Sequence, residues 1–186
     1  MGDKVLYFGY GANRQPEMME AITGNTNLIG RQAILKGFKL CVQRMDQVPD
    51  SVFPGSPAPI SPKKILKESW PDNFKTYMIK PGGEADEVMG TIWELSPLER
   101  ELVRDWELVD FGWYKDMKGK AGTLDGQIFD VQTEGLRDGQ EVDREIDEEN
   151  YKPFLNPLSD FQRVAEKSRR EYLERMTVGK EKLSKV

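Results

Sequence analysis

An apolar run near the start of the chain gives way abruptly to a glycine-rich turn. Residues 5–9 read Val-Leu-Tyr-Phe-Gly, and Gly11 and Asn13 follow within four positions. An apolar run bounded by turn residues is typical of a buried strand. Because glycine tolerates positive φ, Gly9 and Gly11 would let successive backbone N–H groups converge on a carboxylate, a phosphate or a developing oxyanion. The segment therefore predicts either an anion-binding loop or simply a strand followed by a tight turn.

Two common phosphate-binding motifs are excluded at this turn. The pattern Gly9-x-Gly11-x-x-Arg14 lacks the third glycine of a dinucleotide-binding fingerprint. No Lys-Ser/Thr pair follows, so the turn is not a P-loop.

The absence of histidine limits the chemistry further. The 186 residues include no histidine, which removes Ser-His-Asp and Cys-His catalytic arrangements and nearly every catalytic zinc site. The single cysteine, Cys41, lies in the alternating run Leu40-Cys-Val42 and is predicted to be a buried structural thiol. If the chain is an enzyme, proton transfer near neutral pH must use a carboxylate with a raised pKa, a lysine or a tyrosine.

The composition narrows the class of protein and its setting. A chain of this length with 38% hydrophobic residues can bury one core, so we expect one domain over 1–176 and a charged C-terminal tail over 177–186. No apolar run is long enough for a membrane span, and we expect no signal peptide, no lipid anchor and no membrane partner. One cysteine fits a reducing, cytoplasmic location, and a net charge of −5 argues against nucleic acid as the main partner.

The first half of the chain predicts a helix, a strand pair and a long irregular segment. A helix is expected over 16–23, with Pro16 in its first turn and Gly24 ending it. Residues 28–42 predict a strand pair with a bulge at Gly37. Six prolines make 43–75 irregular, apart from a short helix after Ser61, and a loop of this length is often a lid.

Residues 74–108 predict a hairpin and then a capped helix. Two β-like runs, 74–80 and 88–95, are separated by Pro-Gly-Gly and are expected to pair with each other. The sequence Ser96-Pro-Leu-Glu99 is a capping box with proline at the first helical position. The helix should bury one apolar face, formed by Leu98, Leu102 and Trp106.

The acidic residues of this helix differ in their expected exposure. Glu107 lies at the margin of the apolar face, where its carboxylate would be half-buried, while Glu99, Glu101 and Asp105 would remain largely solvated. On position alone, an ordinary solvent-facing charge is the better interpretation of Glu107.

The second half predicts two more strands, an exposed arm and a last helix. Strands are expected at 111–114 and 126–133, the second opened by the Asp125-Gly126 turn. The acidic segment 138–149 predicts an exposed arm. From Pro157 a helix begins with Leu158, Phe161, Ala165 and Tyr172 on or near one face. The fold class is therefore mixed α+β.

Several of these segments together resemble one protein family. The loop Tyr7-Phe8-Gly9-Tyr10-Gly11-Ala12-Asn13 is similar to the Y-G-S-N loop of the γ-glutamylcyclotransferase family, which includes γ-glutamylamine cyclotransferases and AIG2-like proteins. Further segments match in order and spacing: Met78–Pro81, Gly90–Trp93, the helix 96–108, Tyr114 and Pro157–Phe161. The resemblance covers most of residues 5–175, although 43–73 match poorly.

The resemblance implies a fold and a set of site residues. The implied fold is a small mixed β-barrel with flanking helices. Glu107 falls where the family keeps its catalytic glutamate, and the implied substrate-binding residues are Tyr7, Phe8, Gly9, Tyr10, Gly11, Ala12, Asn13, Tyr114 and Phe161. Ala12 replaces the usual serine and Phe161 a common tyrosine, which leaves the identity of the substrate open. The resemblance implies no cofactor and no metal, a small γ-glutamyl compound as partner, and a possible homodimer.

The implied chemistry agrees with the groups that the sequence offers. In a γ-glutamyl compound the α-amine is tethered to the γ-carbonyl, so cyclisation to 5-oxoproline needs no enzyme nucleophile or metal. Glu107 would transfer the protons, and burial against Trp106 and Trp113 would raise its pKa. The main alternative is a non-catalytic module that binds small γ-glutamyl compounds or other carboxylates through the same loop. An interaction protein that uses its acidic arm and last helix is a third hypothesis, but it explains neither the loop nor the placement of the helix.

Overall fold

The chain is built on a closed five-stranded barrel with a three-stranded sheet beside it. The computed structural model describes the backbone of residues 3–183 and the side chains of residues 3–178. The strands are β1 Val5–Gly9, β2 Gly30–Lys36, β3 Phe38–Arg44, β4 Lys75–Pro81, β5 Glu87–Leu95, β6 Tyr114–Thr123, β7 Ile128–Leu136 and β8 Arg144–Ile146. The helices are α1 Pro16–Thr23, α2 Pro62–Lys67, α3 Pro97–Trp106 and α4 Leu158–Leu183.

The strand order defines the two sheets. The barrel has the order β1-β5-β2-β6-β7, and the second sheet has the order β4-β3-β8. Neighbouring strands are antiparallel, except where β1 pairs parallel with β7 and closes the barrel through Tyr7 and Gln132. The prediction of a small mixed β-barrel with flanking helices is confirmed.

One long bent ribbon joins the barrel to the second sheet. β2 pairs with β5 in the barrel, and β3 pairs with β4 in the second sheet. Between them Gly37 has φ +81°, its N–H donates to the Asp86 carbonyl at 2.8 Å, and its own carbonyl accepts from the Gly82 N–H at 2.8 Å. The positive φ of Gly37 bends the chain between β2 and β3, and the loop 82–86 bends it at the same level between β4 and β5.

The predicted pairings of these strands were therefore wrong. Residues 28–42 do contain two strands, and 74–80 and 88–95 contain two more, but neither couple pairs internally. Gly37 was predicted to form a bulge in a strand pair. It instead forms the bend where the chain passes from the barrel to the second sheet.

α1 begins and ends as predicted, whereas α3 begins as predicted but ends at Trp106 rather than at the predicted Leu108. α1 begins at Pro16 and ends at Gly24, which adopts φ +75°. α3 has the predicted capping box: Ser96 Oγ accepts from the Glu99 N–H at 3.3 Å, and Glu99 Oε2 accepts from the Ser96 N–H at 2.6 Å. Leu98 is 50% exposed, so its predicted place on the buried face was wrong. Leu98 lies in the first turn of α3. The buried apolar residues of this helix are Leu102, which was predicted, and Val103, which was not.

The predicted acidic arm is in part an edge strand. Residues 144–146 form β8 and pair with β3. Glu145 bridges Lys39 at 3.0 Å and Lys80 at 2.7 Å, and Asp143 pairs with Arg44. Acidic residues that suggested an exposed segment thus neutralise the basic residues of the second sheet.

The last helix buries the predicted face. Phe161, Val164 and Ala165 are buried, whereas Leu158 and Tyr172 are partly buried. The backbone stays helical to Leu183, so the charged tail expected from residue 177 begins within α4. None of the helices within residues 3–183 combines the length and the apolar character needed to cross a membrane.

Cys41 has the predicted structural character. The side chain is buried in β3, and burial raises the pKa of its thiol to about 11. A thiol in this state is protonated at neutral pH and is a poor nucleophile.

The capping box of α3 provides a test of the fold. We expect Ser96→Ala to lower the free energy of unfolding by about 1 kcal/mol, because the first turn loses a side-chain acceptor. Urea denaturation measures this loss. Ser51→Ala, a matched change at an exposed loop serine, should leave the stability unchanged. Equal unfolding midpoints for the two variants would show that the cap contributes nothing.

Candidate active site

A cavity of about 280 Å³ lies where the first loop, the second sheet, α3 and α4 meet. Its wall also includes parts of the connection between β3 and β4. Glu107 and Asn13 line it, together with many aromatic side chains. The sequence features singled out above therefore converge on one cavity.

The loop after β1 forms a tight 3-10 turn at the cavity. The turn spans Gly11–Arg14, and Gly11 adopts φ +57° as predicted. Gly9 does not have a positive φ, so the predicted nest of two left-handed glycines was wrong at that position. A Cβ at Gly9 would lie 2.3 Å from the Asn13 carbonyl oxygen. Gly9 is thus needed for a close approach of backbone to backbone rather than for its φ.

Asn13 fixes this loop to the rest of the fold. Its Nδ2 donates to the Tyr7 hydroxyl at 2.9 Å and to Glu107 Oε1 at 2.8 Å. Its carbonyl oxygen accepts from the Trp93 indole N–H at 2.9 Å. One buried residue therefore joins β1 and the end of α3 through its side chain and β5 through its backbone.

Glu107 follows the last residue of α3 and occupies its C-cap. Its N–H still donates to the Val103 carbonyl at 3.0 Å, and the next residue, Leu108, has φ +48°. A positive φ is uncommon for leucine and turns the chain sharply after the helix. The carboxylate is held against Asn13 in the cavity, so the alternative of an ordinary solvent-facing charge was wrong.

The environment of Glu107 disfavours its ionised form. Burial raises its pKa to about 8, and the negative charge of Glu134 acts in the same direction. The hydrogen bond from Asn13 and the positive charge of Arg100 oppose this shift only in part. A carboxyl group with such a pKa can both accept and return a proton near neutral pH.

A second buried carboxylate lies beneath the cavity. Glu134 is 1% exposed and forms an ion pair with Arg100, which is 3% exposed. Arg100 also pairs with Asp116 at 3.2 Å. Burial raises the pKa of Glu134, whereas Arg100 and the Tyr7 hydroxyl favour its charged form. The charge of Arg100 thus acts on Glu134, Asp116 and Glu107.

The sequence interpretation missed this ion pair. Glu134 lies in β7 next to Thr133, and both are fully buried. The alternation of buried and exposed residues that identifies the inward face of a strand is therefore missing at Glu134. Arg100 offered one signal, since it lies three residues before Val103 and seven before Glu107, on the same side of α3.

Asp105 was predicted to be solvated, and that was wrong. Its side chain is 14% exposed, lines the cavity and pairs with Arg175 at 2.6 Å across the contact between α3 and α4. The pKa of Asp105 is raised by burial despite this pairing. Glu101, by contrast, keeps 46% of its side chain exposed and pairs with Arg104.

The predicted site residues fall into two groups. Those that line the cavity are Tyr10, Gly11, Ala12, Asn13, Glu107, Tyr114 and Phe161. Tyr7, Phe8 and Gly9 are buried and do not line it, and Tyr7 reaches the site only through Asn13. The sequence interpretation did not foresee Trp70 and Phe74 at the cavity. Within the described residues, no group of three or more acidic, cysteine or histidine side chains is placed to hold a metal ion.

The fold is similar to that of solved structures. The chain has the fold of a structure named gamma-glutamyl cyclotransferase, with a TM-score of 0.56 and 20% sequence identity over 75% of this chain and 70% of that one. An uncharacterized protein, loc79017 from Homo sapiens, is similar with a TM-score of 0.54 and 21% identity over 75% and 69% of the two chains. No protein-family model matches the sequence, and no curated protein matches it at a significant level. At these identities the likeness defines the fold, and the function must come from the site.

The raised pKa of Glu107 is directly measurable. In protein labelled with ¹³C at glutamate carboxyl carbons, we expect one resonance, absent from Glu107→Gln, to titrate at about 8 rather than near the usual value of about 4.3. Glu134→Gln should lower the pKa of Glu107, because it removes a nearby negative charge. Glu101→Gln is the matched control and should leave that pKa unchanged. An ordinary Glu107 pKa in the wild-type protein would contradict this account of the site.

The loop geometry makes a separate prediction. A Cβ at Gly11 would lie 2.9 Å from Tyr77 Cβ, and the residue would keep a positive φ. At Gly126, in the turn between β6 and β7, φ is +86° but no atom lies within 4 Å of the added Cβ. Alanine at either position should incur backbone strain of roughly 1–2 kcal/mol.

We therefore expect Gly11→Ala to lower the free energy of unfolding clearly more than Gly126→Ala in urea denaturation. Equal losses would show that the loop adjusts without resistance from Tyr77.

Proposed function

We propose that this protein is a γ-glutamyl cyclotransferase, which releases 5-oxoproline from a γ-glutamyl amine or a γ-glutamyl amino acid. The observation that carries the proposal is the Glu107 carboxyl group, held by Asn13 in a cavity and given a pKa of about 8 by burial. The fold supports the proposal, since the structure named gamma-glutamyl cyclotransferase shares it.

The γ-glutamyl group would bind at the first loop. The amides of Gly11 and Ala12 are the first two of the 3-10 turn, and such amides have no acceptor within a helix. Both residues line the cavity near Glu107, which suits an α-carboxylate or the oxygen of the γ-carbonyl. Because the groups are backbone amides, the replacement of the family serine by Ala12 leaves this binding mode intact.

The reaction would then need only one proton-transfer group. Glu107 removes a proton from the α-ammonium, and the free amine attacks the γ-carbonyl carbon, so that a C–N bond closes the five-membered ring. The oxyanion collapses and the original amide C–N bond breaks as Glu107 returns its proton to the leaving nitrogen. The ring nitrogen then gives up its second proton, which passes to the departing amine. The products are 5-oxoproline and the amine in its ammonium form, and no water is consumed.

The pKa of Glu107 suits both transfers. Peptide α-amino groups have pKa values of about 8, close to that of Glu107, so the proton passes between groups of similar affinity. An ordinary glutamate would be a much weaker base. Its buried position against Asn13 is therefore part of the proposed mechanism.

Glu107→Gln tests the proposal. We expect 5-oxoproline release from a panel of γ-glutamyl amines and amino acids, measured by mass spectrometry, to fall by about 10² to 10⁴ in kcat. Substrate binding should persist, since glutamine keeps the size of the side chain and can still hydrogen-bond. Glu101→Gln is the matched control on the same helix and should be fully active.

Two outcomes would count against this function. Full activity of Glu107→Gln would place the base elsewhere. If every compound of the panel bound without being turned over by the wild-type protein, the non-catalytic binding module would be the better description.

A further inference from the structure

Aromatic side chains form a continuous wall around the cavity beside Glu107. Six residues, in order of contact, make up this aromatic wall, and all of them line the cavity: Tyr114, Trp113, Phe74, Trp70, Phe161 and Trp106. In this order, successive ring centroids are 4.8, 6.4, 4.7, 5.1 and 6.4 Å apart. These separations are typical of aromatic pairs in contact.

Both end residues of the aromatic wall, Trp106 and Tyr114, line the same cavity as Glu107. After burial, the charge of Glu107 is the next cause that raises the pKa of the Tyr114 hydroxyl. The wall and the proposed proton-transfer group therefore share one cavity, so a substituent on the reacting amide would meet the wall.

The polar atoms of the wall are in part already engaged. The Trp113 indole N–H donates to Gln43 Oε1 at 2.8 Å, and the Tyr114 hydroxyl donates to the Tyr77 carbonyl at 2.7 Å. Apart from the indole N–H groups of Trp70 and Trp106, the remaining side-chain surface of the wall is ring carbon. Such a surface favours apolar groups, because a polar group placed there would lose its hydrogen bonds to water.

The charged residues of the lining do not decide between an amine and an amino acid as the leaving group. Arg175 is paired with Asp105 and Lys167 with Glu171, and Lys75 and Glu68 also line the cavity. Charged groups of both signs thus lie in the same cavity. The wall therefore specifies a large apolar group, which an aromatic amine and an aromatic amino acid both carry.

We infer that the aromatic wall binds a large apolar group, preferably aromatic, carried on the amide nitrogen of a γ-glutamyl compound. This inference rests on the proposed function, because that function places the amide nitrogen at Glu107. The cavity volume of about 280 Å³ is near the lower end of the range of about 300–1,000 Å³ typical of ligand pockets. It leaves room for a ring beside the γ-glutamyl group.

A substrate comparison tests the inference. The wild-type protein is assayed with γ-glutamylphenethylamide, γ-glutamylphenylalanine and γ-glutamylalanine. We expect kcat/KM for the better aromatic compound to exceed that for γ-glutamylalanine by at least about 100-fold, since even one methylene in an apolar pocket changes the ratio by about 10- to 200-fold. The two aromatic compounds distinguish an amine from an amino acid as the leaving group. Equal or better turnover of γ-glutamylalanine would overturn the inference and leave the proposed function standing.

Two variants locate the preference at the wall. Trp70→Leu removes one ring, and Ala58→Trp fills the cavity from a partly exposed position in its lining. Both should lower kcat/KM for the aromatic compounds by about tenfold or more, and by a larger factor than kcat/KM for γ-glutamylalanine. A far-ultraviolet circular dichroism spectrum equal to that of the wild-type protein would show that each variant is folded. An unchanged aromatic preference in both variants would overturn the assignment to this wall.

Binding without turnover separates the inference from the proposed function. Three tryptophans line the cavity, so their fluorescence can report γ-glutamylphenethylamide binding to Glu107→Gln. We expect quenching that saturates, is weakened at least tenfold by an added Trp70→Leu change, and is absent with γ-glutamylalanine at the same concentrations. This pattern would support the aromatic wall even if the wild-type protein turned over none of the three compounds. No quenching by γ-glutamylphenethylamide would overturn the inference.

Discussion

The hydrogen bonds that Asn13 makes to Tyr7, Glu107 and Trp93 are the constraint on which the rest of the site depends. An asparagine amide has two N–H donors, and here both are used, one on the Tyr7 hydroxyl and one on Glu107. The backbone carbonyl of the same residue is held by Trp93 on β5. A shift of the loop would therefore break contacts in the barrel as well as at Glu107. The loop derives its rigidity from the barrel, and Glu107 derives its position from the loop.

The charges beneath the loop explain why Glu107 is not an ordinary acid. The buried Arg100 pairs directly with Glu134 and Asp116, whereas Glu107 has no ion-pair partner among the described side chains. Burial of ions in a protein interior is unfavourable unless each is paired, so an ionised Glu107 has little compensation there. Glu107 thus tends to keep a proton at neutral pH. Burial and the charge of Glu134 raise its pKa, and the hydrogen bond from Asn13 opposes this rise only in part.

Local signals in the sequence were enough to predict several elements. α1 and α3 were placed correctly because their caps are encoded by adjacent residues, Pro16 and Gly24 for one and the Ser96 capping box for the other. The barrel and the importance of Glu107 came from the ordered resemblance to a family. Strand pairing was not predictable in this way, because the partners of β3 in β4 and of β2 in β5 lie between 31 and 63 positions further along the chain.

The remaining parts of the site could not be read from local patterns. Trp70 and Phe161 touch in the fold but belong to different elements, and nothing in either segment marks the other. Glu134 is buried in a strand whose neighbours are also buried, so it has no periodic signature. Such features are properties of the tertiary structure, and only the packed chain displays them.

The bent ribbon divides the chain between two tasks. β2 and β5 belong to the barrel that supports Asn13 and Glu107, whereas β3 and β4 carry the connection 45–74, which supplies Trp70 and Phe74. Beyond the bend at Gly37, this connection can change in length or composition without altering any barrel strand. This part of the cavity wall and the position of Glu107 are therefore encoded in separate parts of the chain.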